Sequence, residues 1–132
     1  MAEKIKRTER GWAGHFIGST NCKFRRNTLL ERGETRIVVS TIGLFRTMPD
    51  ERIEKVGLDR YFETMAFLSD PNDTRYHDAN VEQEVSFDSP WAIAEADADD
   101  RANDMHEAVV DELVARLEDG EVFPTPTEEA KR

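Results

Sequence analysis

Cysteine is almost absent from this sequence. Cys22 is the only one, so no intramolecular disulfide can form and stability has to come from packing. Histidine is nearly as scarce, with His15, His77 and His106 completing the set of soft or imidazole ligands. A structural zinc wants four ligands, usually as two closely spaced pairs, and nothing here has that spacing. No metal and no cofactor is expected. No apolar run approaches the roughly 18 residues that a membrane helix needs, and residues 1–10 lack the apolar stretch of a secretory signal. The expected setting is a reducing cytoplasm, with no membrane partner.

Catalytic signatures are missing as well. No local motif marks Cys22 as a nucleophile, and only the fold could bring His15 or His77 to it. A polar loop holds Asp73, His77 and Asp78, which makes a small enzyme with a site near His77 and Asp78 an alternative reading; no catalytic residue is assigned.

What the chain has in abundance is charge. Of 132 residues, 35% are charged and 38% hydrophobic, and the net charge is −10. The distribution is uneven: the first 60 residues hold 13 Lys and Arg against 8 Asp and Glu, a net of +5, whereas the remainder holds 5 against 20, a net of −15. An acidic protein repels nucleic acid and membrane surfaces at long range, so a basic partner is expected. The length suits one domain, residues 1–132, with an ordered core over about 11–122, a mobile arm over 1–10 and a frayed tail over 124–132.

Hydrophobic periodicity predicts the elements. Residues 12–17 form a strand bent by neighbouring glycines. Residues 24–30 and 35–42 form a β-hairpin whose polar turn, 31–34, contains Gly33. Ile37 and Val39 point one way and Val38 and Ile42 the other, so the second arm is central. Further strands fall at 60–68 and 81–87. From Asp97 the period becomes helical: Ala102, Met105, Val109, Leu113 and Leu117 make one apolar stripe, with anions at the N-terminus and Gly120 as the stop. The fold class is α+β, an antiparallel sheet of four or five strands covered by one C-terminal amphipathic helix. Trp91 is expected to pack where the chain turns from sheet to helix.

Asp100, Asp104, Glu107, Asp111 and Glu118 recur at helical spacing on the side away from that stripe. Carboxylates one turn apart stand about 5–6 Å from one another, and such a row suits a basic groove. These five are the expected partner-binding residues, although an exposed helix face is also polar for solubility alone. Lys23, Arg25 and Arg26 flank Phe24, a minimal arrangement for binding nucleic acid directly; pairing of Arg25 and Arg26 with the protein's own acids is the competing reading. In its size, its acidic helical face from Asp100 to Glu118 and its lack of catalytic signatures, the chain resembles the small anti-defence proteins of phages and mobile elements, the anti-CRISPR and antirestriction inhibitors. Residues 11–16, 24–30 and 91–110 are similar in wording to uncharacterised mobile-element proteins. The resemblance implies a non-enzymatic inhibitor or adaptor, an acidic DNA mimic of sorts, that binds a basic nucleic-acid-handling protein. The Lys- and Arg-rich first half departs from whole-surface mimicry.

Overall fold

The computed structural model describes residues 4–9, 22–47, 49–50, 52–57, 59–69 and 79–123, residues 79–83 by their backbone. Among them lie β1 (Lys6–Glu9), β2 (Cys22–Arg32), β3 (Thr35–Thr47), β4 (Arg52–Glu54), β5 (Phe62–Ser69), β6 (Ala79–Glu84), β7 (Ala92–Ile93) and α1 (Asp99–Glu118). β1, β2, β3, β5 and β6 lie side by side in that order; β4 attaches to β3 and β7 to β5, and every pairing is antiparallel. This is the α+β arrangement expected from the sequence. Its strands are more numerous than expected because β4 and β7, three and two residues long, are too short to carry a period.

β2 and β3 pair from Cys22↔Phe45 to Arg32↔Thr35, which leaves Gly33 and Glu34 as a two-residue loop. Gly33 has φ 60° and Glu34 does not share the positive sign, the pattern of a type II′ hairpin turn. β3 is the middle strand of the five, and its residues 37–44 are buried throughout. Ile37 and Val39 pack with Leu30, Ala66 and Leu68 beneath Val109, Val110, Leu113 and Leu117 of α1. On the opposite face Val38 packs with Leu29 and Phe67. Nearer the N-terminus of α1, Ala102 and Met105 cover Phe24 and Phe62, whose rings meet edge to face at 5.5 Å. The whole predicted stripe of the helix is therefore buried, and Gly120 with φ 84° follows its end.

Gly43 is needed where it stands, since a Cβ there would lie 2.2 Å from the Phe62 ring. The next residue, Leu44, takes φ 57°, a left-handed conformation that costs about 1–3 kcal/mol for a residue with a side chain. At this bend β3 leaves β5 and pairs onward with β4.

Three expectations change. The arm expected over 1–10 is ordered at Lys6–Glu9, because its backbone pairs with the edge of β2 and its charged side chains find partners on β2 and α1. The strand expected over 81–87 ends at Glu84; Val85 still donates to the Ala66 carbonyl at 2.8 Å, after which the chain turns away. Trp91 is not packed inside the corner but is 46% exposed, its ring 4.8 Å from the Arg60 guanidinium. The strand expected over 12–17 and the tail 124–132 lie outside the described residues.

Candidate functional site

α1 is held to the sheet by its buried stripe, so its opposite stripe is a rigid outward surface. At 100° per residue, Asp100, Asp104, Glu107, Asp111 and Glu118 fall within one narrow sector. Asp100, Asp104, Asp111 and Glu118 are exposed as expected. Glu107 is different: it lies at the border of the sector facing β1, half-buried among the protein's own cations. Arg7 Nη1 donates to its Oε1 at 3.0 Å and Arg7 Nη2 to its Oε2, while Arg26 Nη2 donates to Oε2 at 2.9 Å. The Arg7 hydrogen bonds, helped by Arg26, bring the Glu107 carboxyl down to about 2. Among the described residues, the row of five thus becomes four carboxylates without an ion-pair partner. From Asp104 to Asp111 and from Asp111 to Glu118 the axial step is about 10 Å rather than the 5–6 Å of adjacent turns.

Arg26 also reaches back to β1, with Nε 3.1 Å from Glu9 Oε1 and Nη2 2.8 Å from Glu9 Oε2. Burial raises the Glu9 carboxyl, but its hydrogen bonds from Arg26 and Thr28 outweigh this and its pKa is lowered. Arg26 therefore pairs with the protein's own acids. Strand alternation puts it on the opposite side of β2 from Lys23 and Arg25, so the three cations do not form one surface.

Behind this cluster sits a residue the sequence reading weighed only as a metal ligand. His106 is fully buried on α1, between Thr28 of β2 and Thr41 of β3. The Thr28 hydroxyl donates to Glu9 Oε2 at 2.7 Å, so it is free to accept from the imidazole, and the 2.7 Å contact to Nε2 makes that nitrogen the donor. Nδ1 is then the acceptor for the Thr41 hydroxyl at 2.7 Å, and Thr41 accepts in turn from Thr64 at 2.6 Å. The protons all run one way, from Thr64 through the ring to Glu9, which fixes the Nε2–H tautomer. Burial, with the Arg26 charge next, lowers the His106 pKa to about 4.

Ligand atoms of Glu9, His106 and Glu107 lie within 4.8 Å of one another, a spacing a metal could use. The donor set does not suit one: both carboxylates are bonded to guanidinium groups and the nearer imidazole nitrogen carries its proton toward Thr28. The cluster is an ion-pair network that joins β1, β2 and α1. Cys22 is buried, which pushes its thiol up to about 11 and away from nucleophilic reactivity. His15, Asp73, His77 and Asp78 lie outside the described residues. Among the described residues, no helix is long and apolar enough to cross a membrane.

No protein-family model, curated protein or solved structure matches the chain.

Proposed function

We propose that the protein is a binding protein, not a catalyst, that docks the outward face of α1 on a basic surface of a partner that handles nucleic acid. The observation that carries this reading is the exposed row Asp100, Asp104, Asp111 and Glu118 on a helix whose other side is locked into the core. A row whose helix backbone is held by the core loses little backbone freedom on docking, and its field steers an oppositely charged surface toward it. The loss of Glu107 to Arg7 and Arg26 refines the reading, since the matching cations stand about 10 Å apart over most of the row. Blocking such a surface against DNA or RNA is the action of an anti-defence inhibitor, the finer form of the proposal. Direct nucleic-acid binding is less favoured because Arg26 is neutralised by Glu9 and Glu107.

The test is affinity capture from a host lysate followed by association kinetics. Replacing Asp100, Asp104 and Asp111 by Asn and Glu118 by Gln should slow association by about 10–10³-fold and flatten its salt dependence while leaving the fold intact. An unchanged on-rate with wild-type salt dependence would place recognition elsewhere.

A further inference from the structure

The end of α1 brings one reactive peptide bond to the surface. Asp119 follows the last helical residue with φ −75° and ψ −4°, and Gly120 takes φ 84°. The Gly120 N–H donates to the Leu117 carbonyl at 3.1 Å and the Glu121 N–H to the Arg116 carbonyl at 3.0 Å, the paired hydrogen bonds of a Schellman motif. Where such a motif frequently has an apolar contact between its flanking residues, this one has an ion pair: Arg116 Nε donates to Glu121 Oε1 at 2.9 Å and Nη2 to Oε2. The same guanidinium donates from Nη1 to the Ser86 carbonyl at 2.7 Å and lies 5.2 Å from the ring of Phe123, which is buried in the core under α1. Closing the helix thereby fastens the chain that leaves it.

Asp119 and Gly120 are both exposed, and a Cβ at Gly120 would meet nothing within 4 Å. They form the one Asp–Gly pair of the sequence, which holds no Asn–Gly pair. Without a Cβ, glycine leaves its amide nitrogen unshielded from the neighbouring carboxyl. We infer that Asp119 is a site of spontaneous isomerisation to isoaspartate. In the first step the Gly120 amide nitrogen bonds to Asp119 Cγ, and its proton leaves with the carboxyl hydroxyl as water, which gives a five-membered succinimide. Water then adds to the main-chain carbonyl carbon of Asp119 and the bond from that carbon to the Gly120 nitrogen breaks. The backbone now runs through Cγ, and the former main-chain carbonyl carbon is a free carboxylate. One water leaves and one returns, and nothing is oxidised or reduced.

The fold gates the first step. Ring closure needs the Gly120 nitrogen eclipsed with Asp119 Cβ, whereas a ψ of −4° eclipses it with the Asp119 nitrogen, and its N–H is already given to Leu117. The reaction therefore runs from chains whose helix end has opened. Its product keeps that end open, because one extra backbone atom puts both closing hydrogen bonds out of register.

The test is incubation of the protein near neutral pH at physiological temperature, with and without denaturing urea. An isoaspartyl methyltransferase then transfers labelled methyl groups from S-adenosylmethionine, and the label is mapped by tryptic digestion. The peptide over 117–131 holds Asp119 as its only Asp and has no Asn, so label there reports this residue alone. Label should appear in both samples, about 5–50-fold faster in urea, and should vanish from the peptide in Asp119→Glu, whose ring would have six members. The isomerised form, once separated, should lose amide-exchange protection at Gly120 and Glu121 while Val109 and Val110 stay protected. A folded sample still unlabelled when the urea sample has reached its plateau, equal rates in the two states, or unchanged protection at Gly120 and Glu121 in the isomerised form overturns the inference.

Discussion

Acid should destabilise this protein through one buried ring. His106 has a pKa of about 4 in the folded chain against 6.5 when exposed. A pKa depressed on folding means that the unfolded chain takes up the proton first. The neutral imidazole's contribution is therefore complete above pH 6.5 and is lost as pH falls toward 4. The shift corresponds to about 3 kcal/mol, a large part of the 5–15 kcal/mol that typically separates folded from unfolded domains. The groups facing the ring are Arg7 and Glu9 of β1, Arg26 and Thr28 of β2, Thr41 of β3, Thr64 of β5 and Glu107 of α1. Of these, Glu107 adds a second loss in the same direction at lower pH, between 4.5 and about 2. Urea unfolding from neutral pH down to about 4.5 measures the first effect, most of which should be gone at the lower end. His106→Gln should be less stable than wild type at neutral pH but much flatter across the window. A ¹⁵N spectrum at neutral pH should show His106 as the Nε2–H tautomer. An unfolding free energy that does not change over this range, or a His106 that titrates near 6.5, would refute the reasoning.

Two further outcomes follow from the packing and the ion pairs. Leu113→Ala empties a fully buried position between α1 and the sheet and should cost about 2–5 kcal/mol in chemical denaturation, with a lowered Tm. Glu107→Gln removes the charge that Arg7 and Arg26 share; because these side chains are partly exposed the loss should be about 1 kcal/mol, and it should appear as faster amide exchange at Lys6–Glu9 with little change at β3.

The elements with a strong period were legible in the sequence. The hairpin showed itself through alternating residues around Gly33, and α1 through the spacing from Ala102 to Leu117. β1 was not, because Lys-Arg-Thr-Glu has no apolar period and its order depends on Arg26 and Glu107, 17 residues from Glu9 and 100 from Arg7. His106 was partly legible: four residues after Ala102 and three before Val109, it falls on the apolar stripe, and an imidazole there requires polar partners. Which threonines supply them depends on the register that aligns Thr41 with Thr64 and sets Thr28 against Val39. Glu107 was assigned correctly to the acidic sector by its period. Only the positions of β1 and β2 against α1 reveal that it faces the protein's own arginines.

The bond between Arg7 and Glu107 also orders events in time. One hundred residues separate the two partners, and a ribosome adding about 5–20 residues per second needs several seconds to supply the second after the first. β2 and β3, joined by a two-residue loop, can pair long before that. Throughout this interval Arg7 and Arg26 lack the carboxylate they share in the finished fold, while the net charge of the emerging chain falls from +5 at residue 60 to zero at Glu84 and −3 at Ala98. β1 can thus pair with β2 early, through its backbone and the Glu9–Arg26 ion pair, whereas its tie to the helix closes only when α1 arrives, on a chain that has already turned anionic.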